Sequence, residues 1–142
     1  MKLRNFALFA IVCSLAFPLL AGNLAKPGKW QTTIQTEMSG MPMKMPAHTF
    51  TKCVTKEQAE NAENLIPKSG DKRGGCTYTD VKVDGSTMTW KMTCESGMTG
   101  IGKIAYHGDS LAGSMLMKMG ERDISVKYDG KFLGECDGTE QK

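Results

Sequence analysis

From residue 30 onward, apolar and polar side chains alternate with a period of two in short runs broken by Gly, Asp and Asn. A half-buried β-strand imposes that alternation, because successive side chains leave opposite faces of the pleat. The pattern predicts strands over 30–38, 48–54, 77–83, 87–95, 102–107, 112–119 and 123–128, with an eighth over 131–136. Between several of them stand Asp84-Gly85, Gly108-Asp109 and Asp129-Gly130, pairs suited to the positive φ of tight hairpin turns. The expected class is all-β, an antiparallel meander of seven or eight strands with one short helix. That helix spans about 55–66: the Thr55 hydroxyl can cap the first turn, and Gln58 can reach back in a capping box. Ala59, Ala62, Leu65 and Ile66 form its narrow apolar face before Pro67 ends it, and Glu57, Glu60 and Glu63 face solvent.

Alternation also assigns faces. In 87–95 the apolar set is Met88, Trp90 and Met92, continuing to Cys94, whereas in 112–119 Met115, Met117 and Met119 oppose Ser114, Leu116 and Lys118. Two strands therefore direct methionines inward.

Upstream of this region, Lys2 and Arg4 precede an uncharged apolar run over 6–21, and Leu20-Ala21-Gly22 leads into polar sequence. These are the three regions of a cleaved secretory signal peptide over 1–22, leaving one β domain over 23–142. The run contains Pro18, is shorter than the roughly 20 residues of a bilayer span and has no successor, so a transmembrane segment in the mature chain is not expected. Cys13 lies inside the apolar run, away from the cleavage point, which argues against acylation there. Without Lys2 and Arg4, sixteen cationic residues face fifteen acidic ones, and a net charge of +1 gives no support for nucleic-acid binding.

Cys53, Cys76, Cys94 and Cys136 remain, an even number in a small exported chain, and are expected to form two disulfides in an oxidising compartment, periplasmic or secreted. Spacings of 23, 18 and 42 residues contain no close pair of the kind a structural zinc site uses. Three connectivities exist. A tight turn at Asp84-Gly85 sets Val81 against Met88 and leaves Cys76 on the face opposite Cys94, which favours Cys53–Cys76 with Cys94–Cys136. A one-residue bulge would reverse that parity.

Gly28-Lys29-Trp30 resembles the opening of lipocalin-like and avidin-like barrels, and a meander of this size closed into a barrel could hold one small ligand. More of the chain resembles the exported bacterial family catalogued as domain of unknown function 3617. The resemblance rests on Lys26-Pro27-Gly28-Lys29-Trp30, Met41-Pro42-Met43-Lys44-Met45-Pro46, Lys52-Cys53-Val54-Thr55, Trp90-Lys91-Met92-Thr93-Cys94 and Leu133-Gly134-Glu135-Cys136. It implies export and an envelope location, and it implies no activity. Glu135 stands where the family more often has Asp.

Ten methionines follow the leader, densest over 38–48. Thioethers at close spacing beside a histidine are soft ligands of the type that select Cu(I), and Met38, Met41, Met43, Met45 and His48 form such a set. Against this stands methionine as an adaptable apolar filler. Catalysis is not expected: there is no Gly-x-Ser-x-Gly elbow, the Asp residues sit at turns, and Gly97 to Gly102 lacks the lysine of a phosphate loop. The leading expectation is a non-enzymatic binding module whose interior, lined by Met88, Trp90, Met92, Met115, Met117 and Met119, receives an apolar small molecule or an apolar segment of an envelope protein, without a cofactor. The alternative is a periplasmic copper protein using the methionine-rich loop, and a further one a structural envelope protein.

Overall fold

A computed structural model describes residues 24–41, 45–68 and 75–139; the expected signal peptide lies outside them. In chain order the elements are β1 (Gly28–Met38), β2 (His48–Val54), α1 (Lys56–Glu60), α2 (Ala62–Leu65), β3 (Cys76–Asp84), β4 (Thr87–Cys94), β5 (Thr99–His107), β6 (Ser110–Met119) and β7 (Arg122–Gly134). All seven strands join one antiparallel sheet in the order β2-β1-β7-β6-β5-β4-β3. The all-β class and the antiparallel order are those the alternation predicts.

Closure is not. The first and last strands pair, as a barrel requires, but β2 lies beyond β1 and does not pair with β3 among the described residues. The sheet is open where the chain carries its helical insertion. Leu65 and Ile66 of that insertion are buried in the same apolar cluster as the sheet's inner face.

The insertion is two short helices rather than one. The predicted capping box is present: the Gln58 amide donates to the Thr55 hydroxyl at 3.2 Å and the Thr55 amide to Gln58 Oε1 at 3.0 Å. After one turn the chain leaves helical geometry at Asn61, whose side-chain oxygen accepts from the Glu63 amide at 3.0 Å and restarts the helix.

Asp129-Gly130 is not a turn either. It lies inside β7, which runs unbroken for 13 residues with β1 on one side and β6 on the other. Gly130 serves close packing there: a β-carbon would meet Leu111 Cγ at 2.8 Å and the Gln31 carbonyl at 3.1 Å.

The disulfides are Cys53–Cys136 and Cys76–Cys94, which corrects both expected pairings. The β3–β4 hairpin turns at Gly85-Ser86, setting Val83 against Met88, a two-residue displacement that preserves faces. A bulge between Thr79 and Lys82, with Asp80 at φ 52°, then shifts β3 by one residue and brings Cys76 directly opposite Cys94. The other bond straps β1 by joining β2, on one side of it, to the segment following β7, on the other, with Cα atoms 5.6 Å apart.

Candidate functional site

The expected ligand-lining residues divide by depth. Met88, Trp90, Met92 and Met115 are fully buried on the inner face, where they are the core itself. Trp90 packs against Gly102 of the neighbouring strand, and Met115 Sδ accepts from the Tyr128 hydroxyl at 3.8 Å. Met117 is partly buried, and Met119, at the end of β6, is exposed. A cavity of about 70 Å³ lies on this face beneath the helical insertion, bordered by Trp30, Tyr106, Tyr128, Leu65 and Ile66. That is far below the roughly 300 Å³ at which small-molecule sites begin.

The methionine-rich loop is distributed similarly. Met38 ends β1 opposite Ile124 and packs against the core, Met41 and Met45 are exposed, and His48 begins β2 and stacks on Phe50 at 6.2 Å. Met43 lies outside the described residues. Among the described residues no group of three His, Cys, Asp or Glu side chains could hold a metal ion.

The larger concavity is on the other side of the sheet. A groove of about 900 Å³ crosses β4, β5, β6, β7 and the end of β1. Eleven of its lining residues have outward parity, and the inward row Met92, Gly100, Met117, Ile124 and Met38 borders it as well, together with Gly102 and Ser39. At its centre Ile101 and Leu116 stand directly opposite each other on adjacent strands, 63% and 64% exposed. Two large aliphatic residues side by side on the solvent face of a sheet break the alternation that buries Ile104, Tyr106, Leu111 and Met115 of the same strands.

Register orders the groove into three outward rows. The central row reads Lys91, Ile101, Leu116, Ser125 and Glu37. On one side runs Thr93, Thr99, Lys118 and Asp123, and on the other Lys82, Thr89, Lys103, Ser114, Lys127 and Gln35. Lys91 pairs with Asp80 at 2.7 Å, and its hydrogen bond, then its charge, hold the Asp80 carboxyl below the usual range while raising Lys91. Lys118 stands 3.7 Å from Asp123. The third row has three lysines and no carboxylate.

Residues 25–136, from the segment leading into β1 through the second disulfide, match the model of the family described as Protein of unknown function (DUF3617). The chain belongs to that family. No curated protein and no solved structure matches it. The DUF3617 match spans both disulfides and every strand, so the groove and the helical insertion both lie within the family's domain. No helix among the described residues is long and apolar enough to cross a membrane.

Of the expected ligand-lining set, Met92 and Met117 border this groove, but its centre at Ile101 and Leu116 was missed although a signal for it was present. Leu116 has the parity of Ser114 and Lys118, and Ile101 sits between two glycines of opposite parity. An aliphatic residue on the polar parity of a strand is informative once the neighbouring strand supplies another in register.

Proposed function

We propose that this domain is an exported, non-enzymatic binding module whose ligand, an apolar small molecule or an apolar segment of a partner, lies in the groove centred on the outer face, bordered by Met92 and Met117, and not around the core residues Met88, Trp90 and Met115. The observation that carries the reading is the exposed Ile101–Leu116 pair at the centre of a groove of about 900 Å³. Ligand sites are concave and mostly apolar with a few placed polar groups, and an apolar pair rimmed by lysine, serine and threonine has that composition. Aliphatic side chains left in water gain by being covered, at about 25 cal/mol per Å² of apolar area removed. Cys76–Cys94 joins β3 to the end of β4 that borders the groove, and both disulfides accord with work in an oxidising compartment.

An apolar fluorescent dye, N-phenyl-1-naphthylamine, tests the reading by titration against the oxidised protein. Saturable enhancement is expected with the wild type and its loss in an Ile101→Ser/Leu116→Ser variant whose circular dichroism is unchanged, since both side chains are exposed. Absence of saturable binding by the wild type, or equal binding by the variant, overturns the groove as the site.

A further inference from the structure

The groove is asymmetric in charge as well as apolar at its centre, and the asymmetry specifies a ligand class. Of the lysines that line or border it on β4 to β7, Lys91 has Asp80 and Lys118 has Asp123, so their charges are partly answered. Lys103 and Lys127 are different. They stand on either side of Ser114, in register across β5, β6 and β7, within the row that has no carboxylate. Neighbouring strands lie about 4.8 Å apart, so the Cα atoms of these two lysines are roughly 10 Å apart and their flexible stems can bring both ammonium groups over the serine hydroxyl. Two cations and one hydroxyl donor converging on a solvent-facing point form a cradle for a small anion.

The next row towards the other end of the groove, two residues along each strand, is the Ile101–Leu116 pair. From the basic row to the row of Thr99 and Lys118 is four residues, or about 13 Å at strand rise. A molecule matching this surface carries a negative head at one end and an unbranched apolar chain of about that length behind it.

We propose that the groove binds a medium-chain fatty-acid anion, with its carboxylate between Lys103 and Lys127 over Ser114 and its alkyl chain along Ile101 and Leu116. The proposal rests on the groove reading above and adds the charge of the ligand and the direction in which it lies. Charge complementarity selects this occupant. Glu37 and Asp129 flank Lys127, but the register neighbours of Lys103 on β4 and β6 are Thr89, Lys91, Ser114 and Leu116. An uncharged apolar segment would therefore leave Lys103 without a counter-charge beside the apolar floor, and a carboxylate-headed chain answers both features.

The test is calorimetric titration of the oxidised protein at low salt with sodium dodecanoate and, as the uncharged counterpart of the same chain length, glycerol monododecanoate. Dodecanoate is expected to bind about tenfold more tightly, the scale of two partly exposed charge contacts. Lys103→Gln/Lys127→Gln should abolish that preference while leaving monododecanoate binding in place, and Ile101→Ser/Leu116→Ser should abolish both. Charge reversal at the two lysines should exclude dodecanoate and admit dodecyltrimethylammonium, which separates loss of charge from loss of fold. Equal affinities for the two wild-type ligands, or a preference that survives the glutamine variant, overturn the proposal and leave the groove reading standing. Binding of neither ligand overturns both, and a wild-type dimer that the Ile101→Ser/Leu116→Ser variant dissolves assigns the groove to a second copy instead.

Discussion

Trp90 and Gly102 show how the inner face is filled. A β-carbon at Gly102 would overlap the indole at Cζ2 and Cε2 and stand 2.7 Å from Nε1, so the ring occupies the space a side chain would take. The indole N–H has no partner among the described residues, which makes Trp90 a packing element held by fit alone. Gly102→Ala is therefore expected to cost about 1–3 kcal/mol, read as a lower urea midpoint with unchanged m-value. Tyr106, buried beside Trp30, titrates: burial pushes its hydroxyl from 10.0 up to about 12. The folded pKa lies above the unfolded one, so stability is whole below pH 10.0 and is lost as pH rises towards about 12. The unfolding free energy from urea titrations should fall across that window in the wild type, by at most about 1.4 kcal/mol per pH unit, and fall less in Tyr106→Phe. An unchanged slope in the variant would assign the alkaline loss to other groups.

Among the elements, strand positions were legible because inward and outward side chains alternate cleanly, as in Met88, Trp90 and Met92 against Thr89 and Lys91. Hairpin detail was not. A bulge adds one residue without disturbing composition, so nothing in Thr79-Asp80-Val81 announces that Cys76 will cross to the face of Cys94. Gly130 likewise reads as a turn residue until the neighbouring Leu111 is known to lie against it. Asp80 is the residue that makes the bulge, with φ 52°, a left-handed conformation costing non-glycine residues about 1–2 kcal/mol. Asp80→Gly should be neutral or mildly stabilising despite loss of the exposed Lys91 pair, whereas Asp80→Val, which resists positive φ, should destabilise the hairpin. Counting free thiols after oxidative refolding checks the consequence: Asp80→Val should leave a larger fraction of Cys76 and Cys94 unpaired than Asp80→Gly does.

At the scale of the whole molecule, the open sheet has two edge strands, and each carries a disulfide. Cys53 ties β2 across β1 to the tail of β7, and Cys76 ties β3 to β4. An edge strand has hydrogen-bonded neighbours on one side only and is the element most easily lost from a sheet, so the bonds sit where strand pairing contributes least. The central strands β7, β6 and β5 hold the buried residues Tyr128, Met115 and Ile104 and are paired on both sides. Reduction should therefore loosen the molecule from its edges inward. Hydrogen exchange of the reduced protein is expected to accelerate first in His48–Val54 and Cys76–Asp84, with amides of Ser110–Met119 and the central part of Arg122–Gly134 retaining protection. The two bonds are not equivalent: one closes a separation of 83 residues and the other of 18, so chain entropy makes the first worth about 1 kcal/mol more. A Cys53→Ser/Cys136→Ser protein should accordingly lose more stability than Cys76→Ser/Cys94→Ser, and its fast exchange should be confined to β2 and the segment after β7. Uniform acceleration across all seven strands in either variant would mean that the sheet opens as one cooperative unit and that its edges have no separate stability for the disulfides to protect.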